Sequence, residues 1–119
     1  MTRLRSVPAH LRAQVPAVDD YPALLAAQLR IAGLPEPTFE FRFHPTRKWR
    51  YDCAFVEHKI LLDVQGGIWM QGKHTRGAGY ENDCRKLNAA ILMGYRVLHY
   101  SPGMIESGEA LADLERILK

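Results

Sequence analysis

Residues 49–56 read WRYDCAFV and residues 60–67 read ILLDVQGG, and these two runs decide the fold of the chain. Both runs are apolar and rich in β-branched and aromatic residues, which is typical of strands. The residues between them, Glu57-His58-Lys59, are polar and few enough for a hairpin turn. The two runs therefore predict neighbouring antiparallel strands.

Each of these strands carries one aspartate, and the length of the turn decides how the two aspartates meet. A two-residue loop, or a four-residue loop that pairs Phe55 with Ile60, places Asp52 directly opposite Asp63. A bulge or a three-residue loop would break this register. Facing carboxylates repel unless a cation lies between them, and Mg²⁺ prefers carboxylate oxygens as ligands. The alternative is an aspartate at a strand end, solvated or paired with Arg50.

Patterns on either side of this hairpin predict an α/β domain. A helix begins at Asp19 or Asp20 and ends before Gly33, because an acidic N-cap and a glycine stop enclose an apolar stripe at Leu25, Leu29 and Ala32. Residues 38–44 alternate strictly, which predicts a strand. Its two faces would carry Phe39, Phe41 and Phe43 on one side and Glu40, Arg42 and His44 on the other.

The second half of the chain predicts a crossover followed by a closing helix. Residues 80–93 form a helix with an apolar stripe at Tyr80, Cys84, Leu87 and Ile91. Residues 95–100 form a strand, which we expect to run parallel to the Asp63 strand because a helix connects the two. Residues 104–119 form a final amphipathic helix with a start or a kink at residues 107–109.

Composition bounds the class of protein. The 119 residues carry a formal net charge of +3, which is a weak indication of a nucleic-acid partner. We expect one domain over residues 19–119, preceded by a flexible basic arm over residues 1–18 that lies along DNA or is a plain tail. Cys53 and Cys84 are expected to be buried, reduced residues. The sequence shows neither a membrane span nor a signal peptide, so we expect a cytoplasmic protein with no membrane partner.

Positive charge concentrates in two segments near the acidic pair. Residues 45–50 form a loop whose Arg47, Lys48 and Arg50 would hold backbone phosphates. Trp49 in this loop would stack on a base or, alternatively, anchor the hairpin. Residues 68–79 are rich in glycine, and we expect them to form a flap that orders on DNA. Its phosphate contacts would be Lys73, His74 and Arg76.

Asp52, followed after the hairpin by residues 63–67 (DVQGG), resembles the core of the PD-(D/E)XK nuclease superfamily, in which an Asp and an acidic-x-Lys triplet bind Mg²⁺. With residues 42–45 and 94–98, the pattern is similar to the small branch that includes very-short-patch-repair-like endonucleases and compact phage nucleases. The resemblance covers residues 38 to 101. It implies a three-layer α-β-α, restriction-endonuclease-like core, with a mixed central sheet of about four strands flanked by helices.

The resemblance also implies a metal site. Asp52, Asp63 and the backbone carbonyl of Val64 would hold Mg²⁺, for which Mn²⁺ would substitute. Glu40 would add a carboxylate near a second ion if its strand neighbours the Asp52 strand. The alternative for Glu40 is a solvated residue paired with Arg42 or Arg50.

Gln65 stands where the superfamily usually has the catalytic Lys, and its neutral amide would orient water or ligate metal. In parts of the superfamily that Lys has moved to a neighbouring helix, which makes Lys86 the candidate here. Lys73 and His74 are rivals for the role. The alternative is that Lys86 is a surface residue paired with Asp83 or Asn82.

These expectations together describe a small Mg²⁺-dependent DNA endonuclease. No separate recognition domain is evident, so we expect selectivity for a junction, a branch or a mismatch rather than for a long sequence. A homodimer would let two sites cut two strands. The competing class is a catalytically inactive nucleic-acid-binding module with a nuclease fold, which Gln65 suggests. A third class is an RNA-processing hydrolase.

Overall fold

The structure is a computed structural model that describes residues 20–65 and 77–119. Within these ranges it contains four α-helices and four strands. In chain order they are α1 Tyr21–Ile31, β1 Thr38–Arg42, β2 Arg50–Phe55, β3 Ile60–Val64, α2 Gly77–Leu92, β4 Arg96–Tyr100, α3 Pro102–Glu106 and α4 Glu109–Leu118.

The strands form one mixed sheet in the order β1-β2-β3-β4. β2 is antiparallel to both β1 and β3, and β4 lies parallel to β3. The parallel pair follows from the chain path, because α2 crosses from the end of β3 back to the start of β4. The predicted α/β fold with a mixed four-stranded sheet flanked by helices is confirmed.

Apolar side chains form a core on each face of the sheet. On one face, α1, α3 and α4 pack against β2, β3 and β4 through Leu24, Leu25, Leu29, Cys53, Phe55, Ile60, Leu62, Tyr100, Ile105, Ala110, Leu114 and Leu118. On the other face, α2 packs against the sheet through a smaller set that includes Phe43, Tyr51, Ala54, Leu61 and Ala90. The sheet is therefore the middle of three layers.

The hairpin between β2 and β3 uses the four-residue connection. Phe55 pairs with Ile60, and residues Val56–His58 form a short 3-10 turn. Lys59 completes the turn in the left-handed region, with φ 56°. Its ammonium lies 3.9 Å from the centroid of the Tyr95 ring, which gives this exposed residue a cation–π contact.

Helix α1 begins and ends near the predicted residues. The Asp20 side chain caps it by accepting a hydrogen bond from the Ala23 amide at 3.2 Å. Leu25 and Leu29 are buried as predicted, but Ala32 is exposed because it is already the C-cap. Gln28 is buried as well, and its Nε2 donates to the Ile105 carbonyl oxygen at 3.1 Å.

The predicted alternation along residues 38–44 is wrong. β1 ends at Arg42, and Phe39 is 47% exposed whereas Phe43 is 6% exposed. The cause lies at Glu40, whose φ of 52° is left-handed. A residue in this conformation breaks the regular alternation of side chains along a strand, so Phe39 and Phe41 do not share one face.

The prediction for α2 needs correction, whereas the prediction for the final helix does not. α2 begins at Gly77 rather than Tyr80, and its predicted buried stripe is wrong because Tyr80 and Ile91 are each 54% exposed. Ala90 of α2 is buried. The predicted start or kink at residues 107–109 is confirmed, because the final segment divides into α3 and α4 at Gly108, whose φ of 90° ends one helix and starts the next.

Two predicted features lie outside the described residues. These are the basic arm over residues 1–18 and most of the glycine-rich flap, since residues 66–76 are not described. The last flap residues, 77–79, belong to α2. Along residues 20–65 and 77–119, no helix combines the length and the apolar character that crossing a membrane requires.

Candidate functional site

Two aspartates face each other where β2 and β3 run side by side. Cys53 pairs with Leu62, and continuing this register places Asp52 opposite Asp63. The Asp52 amide donates a hydrogen bond to Asp63 Oδ1 at 2.9 Å, and the Val64 amide donates to Asp52 Oδ2 at 2.8 Å. Each carboxylate thus accepts a hydrogen bond from a backbone amide of the opposite strand. These two hydrogen bonds fix both side chains between the strands.

Negative charge accumulates at this pair. Burial raises the pKa of Asp52 above its ordinary value, and the charges of Asp63 and Glu40 raise it further. The Val64 amide and the Lys86 ammonium act in the opposite direction by lowering this pKa. A nearby cation would stabilise the ionised form of such a carboxyl.

Lys86 brings the nearest described cation to the pair from helix α2. Its Nζ lies 3.1 Å from Asp63 Oδ2, and both side chains are only 20% exposed. The same Nζ lies 4.1 Å from the centroid of the Tyr51 ring. Lys86 is therefore a part-buried partner of the acidic pair. The alternative interpretation, a surface lysine paired with Asp83 or Asn82, does not describe its environment.

Tyr51 is a site residue that sequence reasoning missed. It precedes Asp52 in β2 and is buried beneath Lys86. Burial raises the pKa of Tyr51, and the charges of Asp63 and Asp83 raise it further, so the phenol stays protonated at neutral pH. A buried aromatic in a strand is usually a core residue, and only its position next to Asp52 could have signalled more.

Glu40 lies near the acidic pair and also forms a surface ion pair, which were the two alternatives that the sequence left open. Its carboxylate lies 3.3 Å from Arg50 Nη1, and both side chains are more than half exposed. The β1–β2 register pairs Phe39 with Cys53 and Phe41 with Tyr51, which places Glu40 across from Asp52. Glu40 is therefore a surface ion-pair partner that also adds negative charge beside the acidic pair.

Trp49 anchors its loop to the rest of the fold, and its ring is not free to stack on a base. Its ring stacks on Phe43, with centroids 6.3 Å apart, and meets the His44 ring edge-on. The Arg47 guanidinium carbon lies 4.4 Å from the Trp49 ring centroid. The indole Nε1 donates to Asn82 Oδ1 at 3.2 Å, which ties the loop to α2. These contacts hold the basic loop against the fold.

Two clefts adjoin the acidic pair. The first, of about 380 Å³, is here called the polar cleft and is lined by Glu40, Lys48, Arg50, Tyr51, Asp52, Asp63, Val64 and Lys86. The second, of about 520 Å³, is here called the tyrosine cleft and is lined by Tyr51, Asp63, Val64, Gln65, Tyr80, Asp83, Cys84, Lys86, Leu87 and His99. Because the clefts share Tyr51, Asp63, Val64 and Lys86, a ligand in one would lie against the other.

Gln65 and His99 complete the sheet side of the tyrosine cleft. Gln65 directly follows β3, and its backbone N–H donates to the Tyr100 carbonyl oxygen at 2.8 Å. His99 pairs with Asp63 across β3 and β4, so the two side chains share a face of the sheet. Sequence reasoning missed His99, because a strand residue gains a place in the site only through its neighbour in the sheet.

The remaining predicted residues divide into two sets. Lys48 and Arg50 line the polar cleft, whereas Arg47 is held at Trp49. Lys73, His74 and Arg76 lie outside the described residues.

The donor atoms at the acidic pair fit one mode of metal binding. Among residues 20–65 and 77–119, no group of three or more His, Cys, Asp or Glu side chains is arranged to hold a metal ion. Mg²⁺ does not require such a cage, because it is commonly bound by one or two carboxylates, several waters and substrate phosphates. Asp52 and Asp63 supply the two carboxylates, and the pKa of Asp52 is raised by burial first and then by the charges of Asp63 and Glu40.

Comparison of the chain with protein-family models, with curated proteins and with solved structures found no match.

Proposed function

We propose that the protein is a Mg²⁺-dependent DNA endonuclease of the PD-(D/E)XK type. One observation carries this proposal: Asp52 and Asp63 face each other across β2 and β3, and Lys86 Nζ lies 3.1 Å from Asp63 Oδ2. The superfamily motif likewise brings two carboxylates and a lysine close together. Here the lysine comes from α2, whereas Gln65 occupies its usual place in the strand.

In this proposal Asp52 and Asp63 hold the metal ion, and Mn²⁺ substitutes for Mg²⁺. The bound ion would polarise the scissile phosphate and lower the pKa of a coordinated water. The amides of Asp52 and Val64 keep the two carboxylates in place, so little reorganisation is needed when DNA binds. Glu40, across from Asp52, is the candidate for a second ion.

Lys86 has two roles in the proposed reaction. Its contact with Asp63 Oδ2 orients that carboxylate, and its ammonium places positive charge where the phosphate becomes more negative during hydrolysis. The Tyr51 ring beneath the ammonium restricts where Lys86 can point. Gln65 is neutral and is assigned the orientation of water rather than proton transfer.

Cations in the polar cleft would hold the DNA backbone. Lys48 and Arg50 line this cleft beside Asp52 and Asp63. Contacts to phosphates fix the position of a duplex without reading its sequence. This chemistry supports selectivity for DNA structure, such as a junction, a branch or a mismatch, and a homodimer would present two such sites to two strands.

Cleavage assays test the proposal. Purified protein is incubated with supercoiled plasmid and with synthetic four-way junctions, with Mg²⁺, with Mn²⁺ or with EDTA. We expect metal-dependent nicking by the wild type and by Glu57→Gln, a control at an exposed turn carboxylate, and none by Asp63→Asn. Parallel ribonucleotide substrates separate DNA cleavage from RNA processing.

One observation favours a second candidate function. Gln65 in place of the motif lysine is compatible with a nuclease-fold module that binds nucleic acid without cutting it. Binding of junction DNA without cleavage under any metal condition would support this module and contradict the endonuclease.

A further inference from the structure

The tyrosine cleft differs in chemistry from the polar cleft beside it. Three of its residues, Tyr80, Cys84 and Leu87, lie on successive turns of α2 and form an apolar stripe. The stripe has the pattern of a core face, yet Tyr80 remains 54% exposed. Opposite α2, Gln65 and His99 add polar groups from the sheet. Asp63, Asp83 and Lys86 also line the cleft, so polar and charged groups border the apolar stripe. This arrangement suits a flat ligand with a polar rim.

A nucleobase has that shape and chemistry. Its π-faces stack on aromatic side chains, and its edges carry hydrogen-bond donors and acceptors. The cleft volume of about 520 Å³ lies within the range of pockets that enclose small ligands. Tyr80 is the residue best placed for stacking, because its ring is exposed at the cleft, whereas Tyr51 is buried beneath Lys86.

The position of the cleft relative to the acidic pair determines which base would enter. Both clefts include Asp63 and Lys86, and a nucleotide joins its phosphate to its base through a single sugar. A phosphate held at the acidic pair therefore carries a base within reach of the tyrosine cleft. A paired base in a duplex is stacked between its neighbours and must leave the helix to enter a side pocket.

We propose that the tyrosine cleft binds an unpaired nucleobase next to the phosphate at the acidic pair, with the base stacked on Tyr80 and its edge facing Gln65 and His99. This inference rests on the proposed DNA endonuclease function and specifies its substrate as DNA with an extrahelical or single-stranded nucleotide at the cleavage point. The cost of unstacking favours such DNA over a matched duplex, because its base is already free.

The test uses duplexes that carry 2-aminopurine either as a single-nucleotide bulge or in a matched pair, with non-hydrolysable linkages beside it, in buffer with Mg²⁺. We expect the wild type to bind the bulged duplex more tightly and to protect the bulged 2-aminopurine from acrylamide quenching. Tyr80→Ala should abolish this protection and weaken binding of the bulged duplex about tenfold, within the range for losing one stacked base. Tyr80→Phe should behave as the wild type does.

Leu92→Ala is the matched control, because Leu92 lies on the same helix, is 85% exposed and does not line either cleft. It should leave both affinities unchanged. Equal loss of affinity for bulged and matched duplexes in Tyr80→Ala, or an unprotected base in the wild-type complex, would overturn the inference.

Cleavage with Mg²⁺ separates this inference from the proposed function. A protein that protects the bulged base but cuts no DNA refutes the endonuclease and keeps the base-binding cleft. A protein that cuts matched and bulged duplexes equally and leaves the base unprotected keeps the endonuclease and refutes the cleft assignment. Absence of DNA binding under all these conditions contradicts both.

Discussion

Among residues 20–65 and 77–119, Lys86 is the cation that links α2 to the acidic pair. Its Nζ contacts Asp63 Oδ2 at 3.1 Å in a part-buried setting, where a charge interaction is screened less than at the surface. We predict that Lys86→Gln lowers the single-turnover cleavage rate about 10²- to 10³-fold, the range for removing one donor that stabilises developing charge. Quenched-flow or gel-based cleavage of a labelled junction measures this rate.

Arg85→Gln provides the matched control for this prediction. Arg85 directly precedes Lys86 on α2, and its replacement removes the same unit of charge. Arg85, however, pairs with Glu81 on the exposed side of the helix. Its replacement should change the rate by no more than about twofold, because exposed ion pairs contribute little. Equal rate losses in the two variants would show that only net charge matters and would contradict the assigned role of Lys86.

Asp52 couples the site to stability through its pKa. Burial, Asp63 and Glu40 raise this pKa, so between the unfolded and folded values the folded chain binds more protons than the unfolded chain. The free energy of unfolding contributed by Asp52 therefore falls as pH rises through this window. We predict that Asp52→Asn, which does not titrate, is more stable than the wild type at neutral pH, although it should no longer cut DNA.

The stability gain should be small, because solvent screens this part-exposed carboxyl. Urea unfolding measures it at neutral pH and below the ordinary carboxyl pKa of 3.8, where the difference should vanish. Glu57→Gln, at an exposed carboxylate of the turn, is the control. A destabilised Asp52→Asn at neutral pH would contradict the sign of this argument.

At the scale of elements, strand β1 is bent beside the site. Glu40 has a φ of 52°, which glycine adopts readily and other residues adopt at a cost. We predict that Glu40→Gly is more stable than Glu40→Ala by about 1 kcal/mol, because both remove the side chain and only glycine removes the strain. Chemical denaturation of the two variants gives this difference directly.

Arg42 supplies the comparison within the same strand. It is not among the described residues with positive φ, so glycine there should be less stable than alanine. The opposite order at the two positions is the expected signature of local backbone strain. The same order at both positions would refute it.

Helix α2 shows why a hydrophobic pattern predicted the helix but not its buried face. The stripe at Tyr80, Cys84 and Leu87 has the spacing of a core face. In the structure, Lys86 of α2 contacts Asp63 of the sheet, so a lysine occupies part of the helix face that lies toward the sheet. The hydrophobic pattern identifies an apolar face, but it contains no information about polar groups on the opposing element.

At the scale of the whole molecule, the larger hydrophobic core and the acidic pair lie on opposite faces of the sheet. The larger core lies with α1, α3 and α4, and the acidic pair lies toward α2. The Tyr100 hydroxyl, on the larger-core side, donates to Asp113 Oδ2 at 2.9 Å. We predict that Tyr100→Phe lowers the free energy of unfolding by about 1 kcal/mol, a typical value for one hydrogen bond, and leaves cleavage unchanged.

Thermal and urea unfolding, measured beside the cleavage rate, check this separation. A Tyr100→Phe variant with wild-type stability would show that the hydrogen bond contributes nothing. A loss of cleavage in a folded variant would show that the two faces are not independent.

The predictable part of this molecule is the part set by local sequence. The turn between Phe55 and Ile60 fixes the hairpin register, and the register alone places Asp52 opposite Asp63. Tyr51 and His99 were not predictable as site residues, because their places depend on Lys86 above one and on β4 beside the other. The bend at Glu40 was hidden for a related reason, since glutamate has no preference for positive φ.

Uptake of a divalent ion by the acidic pair is the central claim, and calorimetry with Mn²⁺ in the presence of junction DNA with non-hydrolysable linkages tests it most directly. The proposed site predicts binding by the wild type and by Glu57→Gln, and a large loss of affinity in both Asp52→Asn and Asp63→Asn, with all four proteins folded. Wild-type binding that persists unchanged in the two aspartate variants, or no uptake at all with DNA bound, would contradict it.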